Sequence, residues 1–445
     1  MKAPALAVRS LIRLCVLFLL FSFTTPCFAQ EGYFHVEARN GVWWIIDPKG
    51  NPLLSSGVDH IAYEADRMQG TARYPYAEAL DQIYPDRDAW RLAALARIRQ
   101  WGLNTIGAWS DTELWAHGVA YTVMLSFAGR ARDDWGRGMP EDVVDVFDAR
   151  FEKTARDVAQ KLCQPRRFDH TLLGYFSDNE LRWGPDWRGK ETILDLYLRF
   201  PADATGHQKA VNFLRVKYAQ DIHKLNQAWG VSVPNFESVV GPGSTEAYRS
   251  DADEFVESVA TRYFEVSERV IHEADPNHLY LGARFAFAGN PSDAALRGAR
   301  KADVVSINVY EFDPRPAVQA AFKLAGRPVL IGEFGFRAED SGLPNTHGAG
   351  PKVADQAARA QAYTDYVNRL ESLPEAVGYH WFEWVDEPKE GRFEGEGVEG
   401  ENSNYGLVDI QDRPYQKFVE AVKKANTAAV EVHKLLAPLK AGTGY

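Results

Sequence analysis

Short apolar runs alternate regularly with amphipathic helical stretches along this chain, and no other feature of the sequence constrains the fold as strongly. The eight runs share apolar, largely β-branched or aromatic side chains, and they cover residues 53–58, 105–109, 122–127, 172–176, 280–285, 304–309, 329–331 and 377–381. The main helical stretches cover residues 88–100, 149–162, 254–273, 317–324, 355–373 and 415–432. Such alternation predicts an α/β fold with a parallel sheet, because a right-handed crossover between neighbouring parallel strands needs a helix.

Eight strands is the number that closes a (β/α)8 TIM barrel, and we predict one such domain over residues 30–445. A doubly wound open sheet is the alternative, but the first run lacks the Gly-rich turn that would follow it in a nucleotide-binding sheet. The long gap after the fourth run predicts a helical insertion over about 186–239, including a helix that ends at Gly230. Residues 42–53 predict a hairpin, and the Glu- and Gly-rich residues 390–402 predict a flap.

The first 29 residues predict a secretory signal peptide rather than part of the fold. They carry three cations and no acid, then an apolar run too short to span a bilayer, then Cys27-Phe28-Ala29 with the small residues that a signal peptidase reads. We therefore expect a secreted or periplasmic protein. Pro26 before Cys27 argues against a lipid anchor. The rest of the chain has no apolar run of about 18 residues, so we predict no membrane span.

Composition and missing motifs exclude several function classes. The net charge of −11 disfavours nucleic acid as a partner, while 12 tryptophans suit a protein that binds flat sugar rings. Cys163 alone remains after the predicted signal, so neither an internal disulfide nor a cysteine-based metal site is expected. Paired-histidine helices, Asp-rich loops and the Gly-x-Ser-x-Gly motif are also absent from the sequence. We predict no metal and no cofactor, and the sequence leaves the oligomeric state open.

Two glutamates follow apolar runs closely, at the positions where barrel enzymes carry their chemistry. Glu180 comes after the fourth run and Glu333 after the seventh. Either one alone could form a structural salt bridge. As a pair they suit glycoside hydrolysis, in which one carboxyl protonates the leaving oxygen and the other attacks the anomeric carbon.

The motifs around these glutamates resemble the signature of clan A glycoside hydrolases, and most closely family 50, the β-agarases. The similar stretches are residues 174–180, the Leu-Asn-x-x-Trp-Gly of 225–230, residues 381–388 and residues 404–409. Family 42 β-galactosidases share the insertion pattern. The resemblance implies a retaining mechanism with Glu180 as general acid/base and Glu333 as nucleophile. Typical family 50 enzymes carry a larger N-terminal domain, which we expect here to be missing or reduced to a hairpin.

Other polar and aromatic residues at the run ends are predicted to bind substrate. They are Asn179, His60, Trp109, Arg284, Asn308, Tyr310, His380, Trp381, Glu383 and Trp384. We expect the three tryptophans to stack on sugar rings, His60, His380 and Glu383 to contact hydroxyls, and Asn179 to bond the 2-hydroxyl. Arg284 or Tyr310 should hold Glu333 ionised.

The predicted function is cleavage of β-galactosidic linkages in agarose or its oligosaccharides, with attack on chain ends. The alternatives are a β-galactosidase, another clan A β-glycosidase, or a non-catalytic sugar-binding barrel.

Overall fold

The computed structural model describes residues 32–115, 117–135, 143–287, 292–395 and 397–436. The predicted signal peptide, including Cys27, lies outside the described residues. Within those ranges, no helix combines the length and the apolar composition that crossing a membrane requires.

Fourteen strands are defined in the described part of the chain. They are β1 (His35–Arg39), β2 (Val42–Ile46), β3 (Pro52–Leu53), β4 (Ser55–Val58), β5 (Thr105–Ile106), β6 (Ala120–Met124), β7 (Leu172–Phe176), β8 (Leu279–Tyr280), β9 (Phe285–Ala286), β10 (Val305–Asn308), β11 (Val329–Phe334), β12 (Arg337–Ala338), β13 (Lys352–Val353) and β14 (Ala376–Trp381). Strands β1–β3 form the predicted hairpin as a small antiparallel sheet, and β12 pairs with β13.

The other nine strands form one sheet in the order β8-β7-β6-β5-β4-β14-β11-β10-β9, and all its pairings are parallel. Its two edge strands, β8 and β9, are consecutive in the chain and separated only by residues 281–284. One stretch of chain therefore borders both edges, and the sheet curls as in a TIM-like barrel. The prediction of an α/β fold with a parallel sheet is confirmed, and each of the eight predicted strand runs contains or overlaps an observed strand.

Twelve helices are defined in the same ranges of the chain. They are α1 (Pro75–Ile83), α2 (Arg87–Gln100), α3 (Phe127–Trp135), α4 (Ala149–Leu162), α5 (Ile193–Leu198), α6 (Thr205–Lys217), α7 (Ile222–Trp229), α8 (Glu246–Ala274), α9 (Asp293–Gly298), α10 (Arg315–Ala325), α11 (Gln356–Glu371) and α12 (Gln416–Lys434). Three of them, α5–α7, lie between β7 and α8 in the stretch where we predicted a helical insertion.

Local chemistry explains the helix limits. Asp86 caps α2 by accepting a hydrogen bond from the backbone N–H of Ala89 at 2.8 Å, which satisfies one of the free donors of the first turn. Helix α7 ends at Gly230 in the left-handed conformation, with φ 68°. Glycine adopts this conformation without the steric cost of a Cβ.

Apolar side chains fill the inside of the curled sheet below the strand ends. Three strands, β7, β11 and β14, and the stretch 281–284 between β8 and β9 each contribute to this cluster. Its fully buried members include Leu173, Leu281, Leu330 and Val377. Ile45 of the hairpin packs into the same cluster and covers it at the amino ends of the strands. The opposite, carboxyl end of the sheet is therefore the end that is open to a ligand.

Candidate active site

A cavity of about 420 Å³ opens at the carboxyl ends of the parallel strands. We divide its lining into two walls. The glutamate wall consists of Asn179, Glu180, Tyr310 and Glu333. The flap wall consists of His60, Phe382, Arg392 and Glu401. Trp109 and Ala349 complete the lining.

Glu180 lies four residues beyond β7 and is held by its backbone and by a neutral side chain. Its N–H donates to the carbonyl of Arg284 at 3.0 Å. The side-chain amide of Asn308 donates to Oε1 of Glu180 at 2.9 Å and to Oδ1 of Asn179 at 3.2 Å. Burial and the nearby Glu333 carboxylate together raise the pKa of Glu180 to about 7, although the hydrogen bond from Asn308 and the charge of Arg284 oppose the rise. A carboxyl with such a pKa keeps its proton near neutrality and can act as a general acid.

Glu333 lies within β11 and has two partners of a different kind. The hydroxyl of Tyr310 donates to its Oε2 at 2.6 Å. Nη1 of Arg284 lies 3.1 Å from its Oε1, a contact with the distance of an ion pair but without the alignment of a hydrogen bond. A phenol donor and a guanidinium both suit an ionised carboxylate.

Arg284 is fully buried beneath Glu333 and is fixed from its other side. Its Nη2 contacts Oδ2 of Asp59 at 2.6 Å and the carbonyl of Gly332 at 2.5 Å. A Cβ at position 332 would lie 2.8 Å from Nε of Arg284 and 2.7 Å from Oδ1 of Asn308. Glycine before the glutamate therefore lets the guanidinium and the amide approach β11 closely.

Burial raises the pKa of Asp59 to about 7, although the charge of Arg284 opposes that rise. Arg284 thus has two carboxyl neighbours, is itself fully buried, and does not line the cavity.

The flap wall joins acids and cations in pairs. Nδ1 of His60 is 2.5 Å from Oε2 of the fully buried Glu383 and 3.9 Å from Oδ1 of Asp66. Burial lowers the pKa of His60, but these two carboxylates outweigh it and raise the pKa to about 9. His60 is therefore protonated near neutrality.

Arg392 provides the second cation of this wall. Its guanidinium lies 2.6 Å from Oε2 of Glu401 and 3.5 Å from Oε1 of the fully buried Glu387. It also stacks over the ring of Phe382, 5.5 Å from the centroid. Arg392, Glu401 and Phe382 escaped the sequence analysis as individual residues, although the predicted flap 390–402 contains the first two.

The structure places one of the three predicted stacking tryptophans at the cavity and buries the other two, for which the prediction is wrong. Trp109 lines the cavity with 39% of its surface exposed, and the Arg284 guanidinium lies 4.5 Å from its ring centroid. Trp381 and Trp384 are buried: Nε1 of Trp381 bonds the Tyr405 carbonyl and Nε1 of Trp384 bonds the Tyr76 hydroxyl. Neither ring can stack on a sugar, and Phe382 between them faces the cavity instead.

Two further predicted hydroxyl contacts lie behind the cavity surface. His380 is fully buried, with Nε2 2.9 Å from the Ser55 hydroxyl, and burial lowers its pKa to about 3. Glu383 is fully buried behind His60. Neither touches the cavity, so we correct their predicted role from substrate contact to support.

His60, Asp66 and Glu383 each place one possible ligand atom within 4.8 Å of the others. Nδ1 of His60 is already bonded to Glu383, and the Arg392 charge acts on the same carboxylates. Because this group has its own cations, its chemistry fits an ion-pair network better than a metal centre. The prediction of no metal stays a prediction.

The chain is 29% identical to β-agarase B of Vibrio sp. (strain JT0107) over 471 residues, covering 90% of this chain and 48% of the relative. It is 28% identical to β-agarase A of the same strain over 87% of this chain and 44% of the relative. The chain thus spans about half the length of these curated relatives. No protein-family model matches it.

Solved structures give the same result. A structure described as an exo-β-agarase superposes with a TM-score of 0.77 at 26% identity, covering 90% of this chain and 66% of the other. The crystal structure of another agarase superposes with a TM-score of 0.74 at 27% identity, covering 90% and 65%. The resemblance to family 50 β-agarases that the motifs around Glu180 and Glu333 indicated is therefore confirmed over nine-tenths of the chain.

Proposed function

We propose that this protein is a retaining β-glycoside hydrolase that cleaves β-galactosidic linkages of agarose or agaro-oligosaccharides. The observation that carries the proposal is the unequal setting of two carboxyls in one cavity. Glu180 has a neutral amide partner and a pKa raised to about 7, whereas Glu333 contacts a guanidinium and a phenol. Two carboxyls with different protonation tendencies are what double displacement requires.

In the first step, Glu333 attacks the anomeric carbon while Glu180 donates its proton to the leaving oxygen. The glycosyl–carboxylate bond forms as the glycosidic bond breaks, and the leaving sugar departs with the proton of Glu180. In the second step, the now ionised Glu180 takes a proton from water, and the resulting hydroxide displaces Glu333 from the anomeric carbon. Two inversions give net retention of configuration.

The charge of Glu333 disappears when it forms the covalent bond, and this links the two steps. Because the Glu333 charge contributes to the raised pKa of Glu180, forming the intermediate lowers that pKa. Glu180 then loses its proton more readily and becomes the base of the second step. The same pair thus supplies an acid first and a base second.

The substrate is proposed from the relatives and from the cavity. The relatives and solved structures compared above are agarases, and the cavity offers Trp109 and Phe382 as ring surfaces beside the two glutamates. We propose further that the curled sheet is a (β/α)8 barrel in which residues 279–286 serve as the fifth strand. Residues 1–29 are proposed to direct export.

The test is hydrolysis of agaro-oligosaccharides followed by proton NMR of the anomeric signals from the first minutes. Release of β-configured product before mutarotation supports retention, and α-configured product would overturn the mechanism. Glu333→Gln, which keeps shape and removes charge, serves as the inactive control. Turnover of nitrophenyl β-galactoside but of no agaro-oligosaccharide would replace the agarase assignment with a β-galactosidase.

A further inference from the structure

Two tryptophans lie close together in the loop after Glu180, and they differ in exposure: one is buried and the other faces solvent. Trp183 is buried against the rings of Tyr263 and Phe264. Trp187 keeps 61% of its surface exposed and is not part of the cavity lining. An exposed indole leaves a large apolar area in water, so its position calls for a physical reason.

The loop holds Trp187 outward through a tight turn. The backbone groups of Asp186 and Gly189 bond each other in both directions, at 2.9 and 3.3 Å, which places Trp187 and Arg188 at the tip. Arg182, with 5% of its side chain exposed, braces the base of the turn by donating to the carbonyls of Gly184 and Glu191. A turn fixed in this way presents its tip residues at a defined position.

Arg188 connects the tip to the predicted acid/base residue. Its Nη1 donates to the backbone carbonyl of Glu180 at 2.8 Å, and its Nε and Nη2 contact Asp186 at 3.0 and 2.5 Å. Its guanidinium carbon lies 4.4 Å from the centroid of the Trp187 ring. Arg188 therefore links Trp187 to Glu180, because it stacks on the indole ring and bonds the Glu180 carbonyl. One ring face meets the guanidinium and much of the remaining ring surface is free.

We propose that Trp187 forms a stacking platform for a sugar residue on the leaving side of the scissile bond. The inference rests on the proposed function and deepens it. A general acid lies beside the oxygen of the leaving group, so the part of the substrate that departs extends on the Glu180 side. The apolar C–H face of a pyranose fits an exposed indole whose other face is supported by a cation. Trp187 thus binds the leaving chain, whereas Trp109 serves the sugar within the cavity.

The chain offers a matched control for this residue. Phe168 is 66% exposed and has the Arg167 guanidinium carbon 4.6 Å from its ring centroid, an environment similar to that of Trp187. It precedes β7, at the amino end of the strand and away from the cavity. Phe168→Ala therefore removes a comparable exposed ring without touching the proposed platform.

The experiment compares Trp187→Ala, Trp187→Phe and Phe168→Ala with the unmodified protein on two substrates. One is an agaro-hexasaccharide, and the other is a nitrophenyl glycoside of the same repeating disaccharide, whose leaving group contains no sugar. Trp187→Ala should lower kcat/KM for the hexasaccharide roughly tenfold, mainly through KM, and leave the nitrophenyl substrate unchanged. Trp187→Phe should recover most of the loss, and Phe168→Ala should change neither substrate.

Each other result contradicts the inference in its own way. Equal losses on both substrates would mean that Trp187 supports the Glu180 loop rather than the leaving sugar. An unchanged hexasaccharide KM in Trp187→Ala would exclude the platform. Failure of the unmodified protein to cleave any agaro-oligosaccharide would overturn the proposed function itself, and the platform with it.

Discussion

The two walls of the cavity surround their carboxylates in different ways. On the glutamate wall, Glu180 accepts its side-chain hydrogen bond from a neutral amide, and Glu333 shares a guanidinium that also serves Asp59. On the flap wall, Glu401 has Arg392 beside it, and His60 is paired with Glu383, which is buried directly behind the wall. Acids on the flap wall each have a cation beside them, while acids on the glutamate wall share one cation or have none in direct contact.

In the proposed mechanism, this difference separates the acids that react with the substrate from the acids that hold other side chains in position. A carboxyl without its own cation keeps a proton at neutral pH when it is buried, and it can give that proton to a substrate. Burial raises the pKa of Glu383 to about 7 as well, but this carboxyl lies behind the cavity and holds the imidazole of His60, so it has no contact with a substrate. The glutamate wall thus has the properties of a reaction centre, and the flap wall those of a rigid support with polar groups for hydroxyl recognition.

The largest expected effect comes from removing Glu333, the proposed nucleophile on the glutamate wall. Glu333→Ala should lower kcat by on the order of 10⁴-fold or more, because no other carboxylate can form the covalent intermediate. Added azide should restore part of the turnover by taking the place of the carboxylate. Glu401→Gln is the comparison on the flap wall and should cost less than about tenfold. Azide rescue in Glu180→Ala with an inverted product, and none in Glu333→Ala, would mean that the two roles are reversed.

Breaking a pair on the flap wall should act on stability more than on chemistry. His60→Ala leaves Glu383 buried without its cation, and we expect a loss of about 3–5 kcal/mol in the free energy of unfolding. The double variant His60→Ala/Glu383→Gln should recover much of the lost free energy of unfolding, because neither buried charge remains. Denaturant unfolding of the two variants decides the point, and equal stability of the single and double variants would show that the pair is not coupled.

The direction of the His60 pKa shift sets how the stability contribution of the His60–Glu383 pair changes with pH. The folded-state pKa of His60 is raised from 6.5 to about 9, so its contribution is fully present below pH 6.5 and declines as pH rises to about 9. The stability difference between the unmodified protein and the double variant should shrink across that window.

On the glutamate wall, by contrast, a substitution is expected to raise the free energy of unfolding. The pKa of Glu180 is raised from 4.5 to about 7, so the ionised form destabilises the fold above pH 7. Glu180→Gln resembles the protonated acid and should raise the free energy of unfolding by roughly 1–3 kcal/mol above pH 7. The gain should vanish as pH falls from 7 to 4.5. Thermal melting at pH 4.5 and 8 measures it, and a constant difference at both values would argue against a raised pKa.

The smallest effect concerns the coupling of the two glutamates. Glu333→Gln removes the negative charge that helps to raise the pKa of Glu180, so that pKa should fall below its value in the unmodified protein. Carbon-13 NMR of labelled glutamate side chains follows the titration directly, with the Glu180→Gln spectrum identifying the signal. An unchanged pKa would leave burial as the sole cause.

The sequence predicted the sheet well because a buried parallel strand is a continuous apolar run that local composition reveals. It also located Glu180 and Glu333, since both follow such runs within a few residues. Substrate contacts were harder to predict. Trp381, Phe382 and Trp384 lie together at the end of β14, and sequence alone does not reveal which rings face inward once the chain leaves the regular strand.

Contacts between distant segments set the remaining limits. Arg392 and Glu401 reach the cavity because the flap folds back over Phe382. His60 and Glu383 are separated by 323 residues, so their pairing leaves no local signal in the sequence. The predicted retaining mechanism and the roles of the site residues stay predictions until they are measured.

The position of residues 279–286 at both sheet edges also has a consequence for the order in which the chain can be synthesised and folded. Because this stretch borders both sheet edges and carries Arg284, joining the edges and placing the guanidinium under Glu333 happen together. Asp59, which fixes Arg284, is 225 residues away, and β4 gains its β14 neighbour only when residues 376–381 have been synthesised. A growing chain therefore cannot complete the proposed site until most of its length has been made, because the contacts that place Arg284 and close β4 against β14 join segments far apart in the sequence.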